Sequence, residues 1–111
     1  MNRAPAAILA GAMAAALAAA AAAPAQAAPK TWTIVIDSLA FKPAPTSVHV
    51  GDTIVWVNKD VLRHSATAAD KRFDVDLPPG KSGRAVMSKA GTVAYVCKFH
   101  PGMTGKIVVA P

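Results

Sequence analysis

Six short runs of β-branched and aromatic residues, separated by Pro, Gly and Asp, limit what this chain can fold into: residues 31–36, 47–50, 53–58, 84–87, 92–97 and 106–109. Between them no apolar spacing of helical period occurs, so the chain reads as an all-β domain, and turn signals at this spacing suit a sandwich. Gly51-Asp52 between two valine-rich runs signals a hairpin, Pro78-Pro79-Gly80 forbids a central strand, and Ala90-Gly91 reverses the chain before Tyr95. Residues 59–76 are mostly polar or small and read as a mobile connection between sheets, the kind of loop on which binding residues sit. Trp56 and Tyr95 offer the largest apolar area and are expected in the core, with Met87 beside them and Trp32 filling one end.

The 53% hydrophobic content does not describe the folding part, because much of it is an alanine-rich start, MNRAPAAILAGAMAAALAAAAAAPAQA. A cation, Arg3, precedes a weakly apolar stretch that ends in Ala25-Gln26-Ala27, the pattern of a secretory signal peptide cleaved after Ala27. Residues 1–27 are therefore expected to be a leader, and residues 28–111 one small domain of 84 residues, periplasmic and free of stable membrane insertion after cleavage. That domain holds eleven basic and six acidic residues, a net charge of +5, which favours acidic partners. Nucleic acid is excluded as a partner, since no basic run is interleaved with aromatics.

An exported small domain ordinarily pairs its cysteines, yet Cys97 stands alone. Its surroundings explain why. From residue 97 the chain reads Cys97, Lys98, Phe99, His100, Pro101, Gly102, Met103, the spacing C-x-x-H-x-x-M. Singly, these residues are a buried thiol, a turn histidine and a gap-filling methionine. Together, a thiolate, an imidazole and a thioether are soft or borderline donors suited to copper, where a hard cation would need carboxylates. A second imidazole must come from His64 or His49. Strand alternation favours His64, because His49 lies between Val48 and Val50, and a strand that buries both valines turns His49 to solvent.

Nearly all of residues 28–111 resembles the cupredoxins, the small blue-copper family that includes plastocyanin, pseudoazurin and amicyanin. The resemblance is carried by Phe41-Lys42-Pro43, by Val48-His49-Val50-Gly51-Asp52-Thr53 leading to Val55-Trp56-Val57-Asn58, by His64, and by Tyr95 through Gly105. The two-residue gap between His100 and Met103 is similar to amicyanin, whereas plastocyanin-like loops are longer. The resemblance implies a Greek-key β-sandwich holding one copper ion that cycles between Cu(I) and Cu(II). It also implies that His64, Cys97 and His100 form a trigonal plane with Met103 as a long axial contact. Ser65 stands where the family often has Asn, and its backbone N–H is expected to reach the Cys97 sulfur. Val96 replaces the tyrosine that serves plastocyanin as a second electron exit.

The function so implied is electron transfer, not enzymatic catalysis. A monomer passes single electrons through the His100 edge to transient redox partners that are acidic where they dock, with Lys98 and Lys106 guiding approach and Phe99, Pro101 and Gly102 giving apolar contact. The alternative is a periplasmic protein that delivers or buffers copper, although the chain lacks the extra Met or His clusters expected of one. An oxidase would need a second copper centre that one spare histidine cannot build, and structural zinc prefers more cysteine.

Overall fold

The computed structural model describes residues 2–4, 11 and 27–111; the expected leader, residues 1–27, otherwise lies outside the described residues. Among the described residues nine strands follow one another: β1 (Thr31–Asp37), β2 (Ala40–Phe41), β3 (Val48–His49), β4 (Thr53–Asn58), β5 (His64–Ala68), β6 (Asp74–Leu77), β7 (Ser82–Val86), β8 (Gly91–Cys97) and β9 (His100–Ala110). They form two sheets, ordered β2-β1-β4-β7 and β3-β9-β8-β5-β6, so the expected all-β sandwich is observed. The pairs β1–β4 and β3–β9 are parallel, and the remaining pairs are antiparallel. Among the described residues no helix is long and apolar enough to cross a membrane.

Alternation along the strands builds the core. In β4, Ile54, Trp56 and Asn58 point inward while Thr53, Val55 and Val57 are half-buried. Ile34, Ile36, Ile54 and Trp56 from the first sheet close against Leu77, Val93, Tyr95, Ile107 and Val109 from the second. Tyr95 meets Phe41 and Trp56 edge-on, with ring centroids 4.6 and 5.6 Å away. Trp56 and Met87 are buried as expected, although the Trp56 indole N–H has no hydrogen-bond partner. An orphaned donor costs about 1–3 kcal/mol. Burying an indole of about 200 Å² gains about 5 kcal/mol, so burial wins.

Gly51-Asp52 does not make the expected hairpin. It carries the chain from β3 in one sheet to β4 in the other, with Gly51 at φ +96° and its N–H donating to the Met87 carbonyl at 2.8 Å. A hairpin turn and a crossover turn share the same local chemistry, and the partner strands decide between them. Because β3 stops at His49, the alternation stops too. Val48 is buried and His49 exposed as expected, but Val50 is 43% exposed rather than buried. Trp32 does cover one end of the core, anchored by its indole N–H donating to Asp52 Oδ2 at 2.9 Å.

Asp52 pins this end of the sandwich. It is buried, and it also accepts the Lys30 N–H at 2.8 Å and the His49 N–H at 2.9 Å. The Lys30 bond first, then Trp32 and His49, lowers its pKa from 3.8 to about 2. A carboxyl depressed on folding stabilises the fold fully above its unfolded value, and that contribution is lost as pH falls through the folded one. Wild-type stability should therefore drop between about pH 4 and pH 2. In urea titrations Asp52→Asn should be less stable at pH 7 and show a shallower acid loss; an unchanged acid slope would refute the role.

The largest departure concerns residues 59–76, expected as a mobile connection. They contain β5 and all but the last residue of β6, and β5 is an interior strand paired with both β6 and β8. Four of its five residues, His64, Ser65, Ala66 and Ala68, are fully buried, so it is packed on both faces and admits only small side chains after the histidine. Burial and ladder partners, rather than intrinsic propensity, make it a strand. The β1–β2 hairpin was also not foreseen, and β9 starts at His100 rather than near residue 106.

Candidate metal centre

The second sheet brings Cys97, His64 and His100 together at one end. The β8–β9 ladder runs regularly to Val96↔Thr104 and then breaks, so Cys97 pairs with His100 where an unbroken register would set it opposite Met103. The break lets residues 101–103 bulge away and turns the His100 ring back toward the cysteine. Nδ1 of His64 and Nδ1 of His100 each lie 3.6 Å from Cys97 Sγ, and the three donor atoms all fall within 4.8 Å of one another. Cys97 and His64 are fully buried, His100 is half-buried, and the two imidazole rings sit 5.0 Å apart at 63°. Met103 is buried on β9. His49, the competing histidine, is exposed and holds the Ser47 carbonyl through Nδ1, away from this group.

Ser65 ties the loop to the sheet. Its backbone N–H donates to Cys97 Sγ at 3.4 Å, the expected contact. Its hydroxyl has a role the sequence did not reveal, accepting the Lys98 N–H at 2.9 Å. Thr67 spends its own proton on Asp74 Oδ1 at 2.9 Å, so the Ser65 hydroxyl is the donor in the 2.9 Å Ser65–Thr67 bond. Asp74 is held below the usual carboxylate range by the Thr67 hydroxyl first and Lys98 next.

Asp60 was also missed. Its Oδ2 lies 2.8 Å from His64 Nε2. An ionised carboxylate only accepts, so Nε2 carries the proton and Nδ1 offers its lone pair toward the sulfur. The Leu39 N–H foremost, then the His64 ring, keeps Asp60 below its ordinary pKa. Asn58, buried at the end of β4, fixes the loop that carries Asp60. Its Nδ2 donates to the Leu62 carbonyl at 2.8 Å and the Leu77 carbonyl at 2.9 Å, and its Oδ1 accepts the Asp60 N–H at 2.9 Å.

Outside the site, Phe99 is 44% exposed, with the Arg63 guanidinium 5.5 Å and the Lys98 ammonium 5.7 Å from its ring centre. Both cations are paired with acids: Arg63 with Asp76 at 2.6 Å and Lys98 with Asp74 at 3.4 Å. This surface is therefore of mixed charge. Lys106 pairs across the ladder with Ala94, three residues along β8 from the Cys97 that faces His100, and so about 10 Å away.

The donor set tests which ion fits. One thiol and two imidazoles converge in a buried space with no carboxylate among the grouped donors, and a buried methionine lies three residues beyond the second histidine. A hard cation would find no oxygen ligands; a soft or borderline ion would be satisfied, and the set fits one copper ion.

Comparison with known proteins agrees. The family described as "Cupredoxin-like domain" matches residues 7–109. Amicyanin of Paracoccus denitrificans is 34% identical over 84 residues, 68% of this chain and 64% of the relative, so the chain spans just under two thirds of that protein's length. Amicyanin-alpha of Methylorubrum extorquens is 34% identical over 91 residues, covering 76% of each chain. A solved structure of an amicyanin mutant in its reduced state superposes with a TM-score of 0.61 at 26% identity, covering 71% of this chain and 81% of the other.

Proposed function

The chain belongs to the cupredoxin-like family, and on that premise we propose that it is a blue copper electron-transfer protein whose metal ligands are His64, Cys97, His100 and Met103. The observation that carries the reading is the placement of two imidazole Nδ1 atoms, each 3.6 Å from one buried sulfur. Bound copper supplies a one-electron Cu(II)/Cu(I) couple. The protein's part is to hold the donors still, since a ligand set that does not rearrange keeps the barrier to electron exchange low. Ser65 fixes the sulfur and the start of the loop, and burial keeps water from His64 and Cys97. His100 is the half-buried member, so its edge is where a partner approaches, beside the exposed Phe99 and Pro101.

On this reading the protein is exported by residues 1–27, acts as residues 28–111 in the periplasm, and passes single electrons between transient partners without making or breaking substrate bonds. Net charge favours acidic partners. The buried cysteine and histidine argue against the delivery alternative, which needs ligands exposed for hand-over. The reading is tested by loading the metal-free protein with Cu(II). Intense visible absorption with narrow copper hyperfine splitting is expected, and a colourless Cu(II) form would overturn it.

A further inference from the structure

Ser38 and Leu39 occupy the two central positions of the β1–β2 turn, and both are left-handed, at φ +54° and +60°. Hairpin turns of this kind normally carry Asn or Gly there, because a side chain in this region costs roughly 1–2 kcal/mol. The conformation aims two backbone N–H groups at one carboxylate: Ser38 donates to Asp60 Oδ1 at 2.8 Å and Leu39 to Asp60 Oδ2 at 3.0 Å. With Asn58 holding its backbone, Asp60 is fixed from both sides, and its side chain is only 13% exposed. What it is fixed against is the Nε2–H of His64, at 2.8 Å.

The geometry points to Asp60 as a positioning residue that sets the redox preference of the copper site. The inference rests on the proposed ligand role of His64. A carboxylate hydrogen-bonded to the remote nitrogen of a ligating imidazole fixes its tautomer and ring orientation and strengthens its donation; losing such a partner typically costs 10–100-fold in metal affinity. A fixed negative charge near the ion favours Cu(II) over Cu(I), because the more highly charged form gains more. Asp60 thus holds the reduction potential down. The strained β1–β2 turn, more than twenty residues away in sequence, contributes by holding the carboxylate in place.

Two measurements test this. In metal-free wild-type protein, long-range ¹⁵N–¹H spectra should show His64 protonated on Nε2; protonation on Nδ1 would overturn the inference whether or not any variant folds. In copper-loaded protein, Asp60→Asn keeps a hydrogen-bond acceptor without the charge. It should retain the visible band while the preference for Cu(II) over Cu(I) falls about tenfold, a rise of about 59 mV for a one-electron couple. Asp60→Glu should restore part of the shift. A blue Asp60→Asn protein with wild-type potential would sink this inference alone. A wild type that takes up Cu(II) without colour would instead remove the ligand assignment, and this inference with it.

Discussion

Cys97→Ala should abolish the visible absorption of the Cu(II)-loaded protein and weaken Cu(II) binding by more than about 100-fold, since even the loss of an outer hydrogen-bond partner costs 10–100-fold. The colour depends on a sulfur–metal bond, and Cys97 is the chain's one cysteine. No nearby group can substitute, because the remaining grouped donors are imidazoles. A second, independent effect follows from the metal-free structure. The Ser65 N–H donates to Sγ in a fully buried position, and alanine leaves it unpaired at a cost of about 1–3 kcal/mol. In a domain of this size each kcal/mol lowers Tm by about 4–8 °C. Cys97→Ser separates the two effects: its hydroxyl can still accept from Ser65 but stays protonated and gives no colour. A strongly coloured Cys97→Ala protein would refute the sulfur's role, and an unchanged metal-free Tm would refute the hydrogen bond.

The candidate ligand run was legible because its chemistry is contiguous: Cys97, His100 and Met103 fall within seven residues, and one register break accounts for the approach of His100 to Cys97. The core strands were legible because their β-branched residues alternate as the sandwich requires. β5 was not. Ser65, Ala66, Thr67 and Ala68 look like loop residues because a strand packed on both faces must be small, so the burial that makes it a strand erases the usual strand signal. Spacing alone only favoured His64 over His49, and family resemblance was needed to choose it. Asp60 was illegible for a different reason. An aspartate in a polar loop reads as a solvated turn residue, and its N–H partners, Ser38 and Leu39, lie more than twenty residues upstream in a hairpin of unusual composition.

Gly105→Ala should be among the most destabilising single changes in the domain. Gly105 lies directly across the β8–β9 ladder from Tyr95, whose ring folds over it. A Cβ at this position would run into Cζ of that ring and stand 2.7 Å from Cε1. The ring cannot retreat, because Phe41, Trp56 and Phe73 surround it at centroid distances of 4.6, 5.6 and 6.0 Å. Overpacking of this kind reaches about 3 kcal/mol, which lowers Tm by roughly 12–24 °C. Gly102→Ala is the control: a Cβ there meets nothing within 4 Å, so stability should change by less than about 0.5 kcal/mol. Tyr95→Leu removes the obstructing ring, so the double variant should be more stable than the two single losses predict by at least about 1 kcal/mol. Additive losses, or a Gly105→Ala midpoint near wild type in urea, would show that the ring is free to move. The consequence reaches the metal centre. Cys97 lies two residues after Tyr95 on β8 and Met103 two before Gly105 on β9, so the ring that needs this glycine packs at the pairing of the two strands that carry three of the four proposed ligands.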